Sequence, residues 1–470
     1  MVEEVNGGSM RTLVALLLST GLLVGCTATT ETVEDSLVSN KGGEVATEPD
    51  SEEVVSGNSE AAEGQLETLT PNQIRIAQCA TDNEAPAEWL DIQTVVKEQS
   101  NCFGPTRFVS AAEPTQFPLS EYTALPMEEC KLPNINNYPM LGHASEGYFL
   151  ERRHPSVDTV VQVIPIYTND AFPTGTPSSD YGQYFAFLLN WIKNTSDVPV
   201  SAEVRVPQSY FYLDASLSDY PGIERHQVVT PQGREFVDEV MALVDRDLDF
   251  SDVDMTIMVV PPETDNQLLG TNGWSGNRLE YDGNKIWVNF IQTPIDLIND
   301  ERDWQVNFTN PFTMLHEMHH GGKDYGDHGE HMTPYGLMTN SLTNLLVWEK
   351  WTSGFLADSQ ISCVSPSETS IVAIAPSEMK TSRVKGLVIP LSTTEVLVVQ
   401  SSKAIGYDYK LPEYATGAVV YTIDLNQTAF EEGEYLLSSP SLKMGQSLEY
   451  ENISITVLDS GDFGELIKIN

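Results

Sequence analysis

An α/β domain followed by an antiparallel β-sandwich is the fold class the chain predicts, and three observations carry it. Between Asp158 and Gln292, near-continuous apolar runs alternate with amphipathic stretches at helical spacing, the pattern of buried strands with helices laid over them. After Ser365 the runs become short and alternating and are cut by Gly, Pro, Ser and Asn, the pattern of antiparallel strands joined by turns. Between the two regions stands HEMHH, His316 to His320, on a stretch suited to a helix.

The first 26 residues read as an address. Met10 and Arg11 precede a run from Leu13 to Gly25 that is apolar apart from Ser19 and Thr20, and it closes on LVGC, the small-residue pattern of a bacterial lipoprotein signal with Cys26 lipidated. The run is too short to span a bilayer. Met10 makes a better start than Met1, because MVEEVNGGS puts acid where a signal wants base. Residues 27–67 follow as a disordered acidic linker, with 11 acids against Lys41 alone and no aromatic residue, too little apolar surface to offset the entropy of ordering. The expected location is the bacterial cell envelope, lipid-anchored to the outer membrane or cell surface, or released from it.

Of the net charge of −43, the linker carries −10 and the first 26 residues −1, which leaves −32 on residues 68–470. That charge excludes nucleic acid as a partner and limits the membrane to contact through the lipid anchor. Some of the carboxylates are candidate calcium ligands, although no loop follows the EF-hand spacing.

Four cysteines remain after Cys26, an even number in an exported chain, which permits two disulfides in three pairings. Cys79 and Cys102 bracket APAEWLDIQTVVKEQSN, read as one short helical segment, and are the preferred pair; Cys130 and Cys363 would then close a loop around the central region. Residues 68–150 form a small N-terminal module, a pro-segment or a brace.

Residues 151–364 are the α/β domain. TVVQVIPIY is a buried strand, QYFAFLLNWIKNTS a helix, AEVRVPQSYFYL an alternating strand region, and PQGREFVDEVMALVDRDL an amphipathic helix introduced by Thr230 and Pro231. MTIMVVPP is another strand, and KIWVNFIQ is the last before HEMHH, equally suited to a sheet edge along which an extended peptide could pair and to an ordinary sheet strand.

Asn310 is an N-cap candidate, Pro311 fits the first helical position, Phe312, Leu315 and His319 recur at helical spacing, and Gly321 and Gly322 end the helix. His316 and His320, four residues apart, leave one face and can share a zinc ion, with Glu317 beside it as the base for a metal-activated water. Met338, in YGLMTN, stands about where metzincin-type enzymes place a methionine turn. LTNLLVWEKWTSGFL then reads as a helix with Leu345, Leu346, Trp348 and Trp351 inward. Residues 365–470, with VKGLVIPL, TEVLVVQS, GAVVYTIDL, SITVLDS and ELIKIN, make the β-sandwich.

HEMHHGGKDYG, then PYGLM, then LLVWEKWTSGFL resembles the catalytic core of secreted bacterial zinc metallopeptidases of the immune inhibitor A type. The resemblance implies a metzincin-like α/β zinc peptidase domain, hydrolysis of protein or peptide substrates, His316, His320 and Asp324 as zinc ligands, Glu317 as base and Met338 as the turn. The family spacing is HExxHxxGxxD, whereas here Gly321 follows His320 directly, so His328 is the first rival to Asp324, with Asp327 and His331 behind. Tyr325 and Tyr335 are phenols that could assist an oxyanion. Two other readings stand beside the peptidase: a catalytically silent adhesin or glycan-binding lipoprotein on a protease scaffold, and a zinc carrier using the histidines of residues 316–331.

Overall fold

The computed structural model describes residues 93–95, 111–133, 142–143, 155–220, 231–264, 274–291, 315–316, 318–319, 332–337, 343–409, 411–426 and 434–470. All fall in one compact unit, Glu60–Asn470. The lipoprotein signal with Cys26, the linker and the Cys79–Cys102 pairing lie outside the described residues. The fold is mixed α/β with several sheets.

The first sheet is built from β1 (Gln93–Val95), β2 (Val160–Tyr167), β3 (Glu203–Pro207), β4 (Phe211–Tyr212), β5 (Met255–Val259), β6 (Trp274–Tyr281) and β7 (Asn284–Ile291). Its order is β1-β3-β2-β5-β7-β6, with β4 joined to β2. β2, β3, β5 and β7 run parallel, whereas β1 and β6 are antiparallel to their neighbours and form the two edges. The structure decides one open reading of the sequence and corrects one expectation. KIWVNFIQ is β7, an internal strand, and the edge is β6, turned back on it through Asp282 and Gly283. Their φ values of 51° and 74° are those of a two-residue hairpin turn, a conformation that Asp-Gly favours. Within APAEWLDIQTVVKEQSN, Gln93–Val95 is strand rather than helix, paired with β3. β-branched Thr94 and Val95 suit that edge, and the hydrogen bonds available there outweigh a local helical preference.

Helix α1 (Pro177–Thr195) begins at a reciprocal cap in which Thr176 accepts from the Ser179 backbone N–H and the Ser179 hydroxyl meets the Thr176 N–H, with Pro at the first turn. It covers one face of the sheet, where Phe185, Leu188 and Trp191 pack on Val161, Val204 and Ile257. Helix α2 (Pro231–Val244) covers the other, where Phe236, Val240 and Val244 share a core with Ile164, Met258 and Val288. The result is three layers with HEMHH on the α1 side, since Leu315 and Met318 belong to the α1 core.

The C-terminal part opens with α3 (Val347–Thr352), shorter than the helix expected from LTNLLVWEKWTSGFL, although Leu345, Leu346, Trp348 and Trp351 are all buried as expected. The strands are β8 (Ile361–Cys363), β9 (Ser370–Ile374), β10 (Gly386–Pro390), β11 (Glu395–Ser402), β12 (Gly417–Asp424), β13 (Glu434–Leu436), β14 (Ser447–Tyr450), β15 (Ile453–Gly461) and β16 (Gly464–Ile469). They form a five-stranded sheet, β13-β12-β11-β10-β8, and a four-stranded one, β14-β15-β16-β9, with Leu387, Leu397 and Val420 of the first sharing a core with Val372, Ile455 and Ile467 of the second. One pairing departs from the antiparallel expectation. β8 and β10 are parallel, because the chain leaves β8 for β9 in the other sheet before returning.

Residues 111–133 lie as a strap along these sheets. Glu121 bridges Ile371, the Leu125 N–H donates to the Cys363 carbonyl at 2.9 Å, Arg383 sits over the Phe117 ring, and Cys130 is disulfide-bonded to Cys363. That is the second of the two disulfides expected from the sequence.

Candidate functional site

Residues 315, 316, 318 and 319 are helical, as the spacing of HEMHH predicts. Leu315 and Met318 are fully buried against the first sheet and α1, so the helix is seated by ordinary apolar burial, about 1.5–3 kcal/mol for each such side chain.

The two described histidines have different surroundings. His316 is 6% exposed, and its Nδ1 lies 3.0 Å from the Leu337 carbonyl oxygen. A carbonyl can only accept, so Nδ1 carries a proton, and in the neutral ring the lone pair is then on Nε2. His319 is buried on the α1 side, with Nδ1 2.6 Å from the Leu315 carbonyl and its ring edge-on to Trp191 at 5.4 Å. It is a core histidine.

The Leu337 carbonyl is delivered by a turn. Gly336 has φ 91°, a left-handed conformation that a side chain would strain. Before it, Tyr335 is buried, and its hydroxyl donates to the Ala415 carbonyl at 2.9 Å. Burial pushes the Tyr335 phenol above its ordinary range, and its proton is committed to that bond, so this phenol serves structure rather than an oxyanion. The stretch joins two cores: Met332, Tyr335 and Leu346 pack with the outer face of the five-stranded sheet, while Leu337 and Leu345 pack with α1.

Of the sequence-predicted site residues, the structure places His316 and Tyr335. Glu317, His320, Asp324 and Cys26, the rival ligands Asp327, His328 and His331, and Tyr325 and Met338 lie outside the described residues. Among the described residues no three His, Cys, Asp or Glu side chains gather as a metal-holding group, calcium sites included. His316 fits a metal in the one respect that it tests: its Nδ1 partner leaves Nε2 in the ligating form. Sequence reasoning missed the Leu337 carbonyl. A backbone acceptor leaves no mark in residue types, although the glycine at 336 signalled a turn at that point.

Among the described residues no helix is long and apolar enough to cross a membrane. No protein-family model matches the chain, and no curated protein sequence is significantly similar to it.

Proposed function

We propose that the protein is a zinc-dependent metalloendopeptidase of the immune inhibitor A type, on a metzincin-like α/β domain tethered to the bacterial cell envelope through Cys26. The observation that carries this reading is the 3.0 Å contact between His316 Nδ1 and the Leu337 carbonyl. Metal-binding histidines characteristically donate the second ring nitrogen to a carbonyl or carboxylate, which sets both tautomer and ring plane. Here the acceptor adjoins Met338, the residue that the resemblance makes the methionine turn.

His316, His320 and Asp324 would hold the zinc, which when bound would polarise a scissile carbonyl and acidify a water. The other steps fall to the chain. The Leu337 carbonyl orients His316, and Glu317, between the two histidines of the motif, takes a proton from the attacking water and returns it to the leaving amine. β6, as an outer strand of the first sheet, gives an extended peptide a backbone ladder to lie along.

The test is degradation of casein by the purified protein. Chelation should abolish it, added zinc should restore it, and Glu317→Gln should keep one zinc per chain while losing activity by about 10²-fold or more. A Gln variant as active as the parent, or activity indifferent to chelation, would remove the peptidase reading. Zinc-independent inactivity of the parent would favour the adhesin or glycan-binding lipoprotein.

A further inference from the structure

A buried polar cluster lies behind the histidine helix, where α1, the segment entering α3 and two loops of the C-terminal sheets meet. Its hub is Asn344, 2% exposed. The Asn344 side-chain oxygen accepts from Trp191 Nε1 at 3.0 Å, and its amide nitrogen donates to Glu378 Oε1 at 2.9 Å and Thr195 Oγ1 at 3.1 Å. Its backbone N–H donates to Asp408 Oδ1 at 2.8 Å. Few side chains offer donor and acceptor together at this size, so Asn suits the position and an aliphatic residue does not.

The far side of the cluster is fixed to the C-terminal sheets. Glu378 is ion-paired with Lys350, both side chains almost wholly buried, and it also accepts from the Tyr407 N–H at 2.9 Å. Burial alone would raise the Glu378 carboxyl; Lys350 beside it holds it below its ordinary range. Gly406 permits the loop to approach, since a Cβ there would fall 2.5 Å from that of Glu378. A buried ion pair contributes little net stability against an apolar replacement, but its geometry is unforgiving, and one reason to keep such a pair is that it specifies position.

Two routes lead from Asn344 to the histidine helix. One runs through Trp191, whose ring Asn344 orients and which stands in a T-shaped pair with His319, centroids 5.4 Å apart. The other is local to the turn: Tyr335 is held by the Ala415 carbonyl and Asn344 by Asp408, and Leu337, two residues after Tyr335, presents the carbonyl that meets His316. Leu315 and Met318 resist withdrawal of the helix but could slide, whereas these polar contacts have one register.

We infer that Asn344 is a positioning residue through which the C-terminal sheets hold the histidine helix in register, making those sheets part of the site's frame rather than a separable binding module. The catalytic consequence rests on the zinc-peptidase reading above; the positioning does not.

Asn344→Ala tests it, since it removes the hub and leaves the Trp191 ring whole; Trp191→Phe, which removes the donor to Asn344 together with indole volume at a fully buried position, is the second variant. The control is Tyr220→Phe, which deletes a hydroxyl bonded to Glu239 at 2.5 Å in the α2 core, on the opposite face of the first sheet from α1 and the histidine helix. Amide hydrogen exchange at residues 315–319 should speed by about tenfold or more in Asn344→Ala and in Trp191→Phe, and stay at the parental rate in Tyr220→Phe. Zinc affinity should fall by about 10–100-fold, with kcat reduced and KM for a peptide little changed. Parental exchange at 315–319 in Asn344→Ala would overturn the inference, as would an equal increase in the control. A parent that binds no zinc would instead defeat the peptidase reading, and exchange would still decide the role of Asn344.

Discussion

Two histidines three residues apart in one helical turn do different work because of what each meets: His316 a carbonyl from a glycine turn, His319 its own helix and an indole edge. HExxH spacing already separated them; their partners were not legible, because both are backbone carbonyls. The third ligand is still a sequence expectation. Asp324 follows a two-glycine stop and needs one tight reversal, whereas His328 needs a longer return. Zinc titration of the two variants should therefore find the Asp324→Ala site weakened by about tenfold or more, and His328→Ala near the parent; the reverse order would make the site a three-histidine one. His143 gives a pH prediction. Both its ring nitrogens are buried without a hydrogen-bond partner, and its ring lies against Trp351 at 4.1 Å and Trp348 at 5.2 Å. Burial, with Lys131 adding to it and Asp358 opposing, brings its pKa from 6.5 down to about 4. The unfolded chain therefore binds the extra proton first, so this contribution to stability is complete above pH 6.5 and is lost as pH falls toward about 4. Urea midpoints across that range should decline more steeply for the parent than for His143→Phe, and parallel slopes would clear His143 of the effect.

At the scale of elements, what the sequence made legible was what repeats. β2, β5, α1 and α2 announce themselves by apolar runs or helical spacing, and all stand close to where that spacing put them. What was misread or left open concerns partners. Nothing local tells Gln93–Val95 that a free edge of β3 awaits it, and nothing in KIWVNFIQ shows that Trp274–Tyr281 will fold back to take the edge. The turn at Asp282–Gly283 was the available clue. The contact between α3 and the five-stranded sheet also hangs on one residue. A Cβ at Gly386 would stand 2.6 Å from Val347 Cγ1 and 2.9 Å from Ile361 Cδ1, both buried side chains. Gly386→Ala should cost about 1–3 kcal/mol by overpacking, seen as a lower urea midpoint. A midpoint equal to the parent's would show that the helix can step back without loss.

For the molecule as a whole, composition spoke clearly about charge and poorly about integration. Short alternating strands predicted a β-sandwich but not what its faces meet: the five-stranded sheet buries both, one against the second sheet and one against Trp348, Trp351 and the strap. Integration of that kind depends on contacts between residues hundreds of positions apart, for which a single sequence carries no periodic signal. The bond from Cys130 to Cys363, 233 positions apart, has a further consequence. It turns the stretch holding HEMHH, α1, α2 and every strand from β2 to β8 into a closed ring of chain. Cutting a ring once opens it without dividing it. In a compartment shared with peptidases, a single backbone break between these cysteines leaves both fragments on one covalent molecule. Protein nicked there by trypsin should run as one band without reductant and as two with it, and fragments that part without reductant would show the ring was never closed.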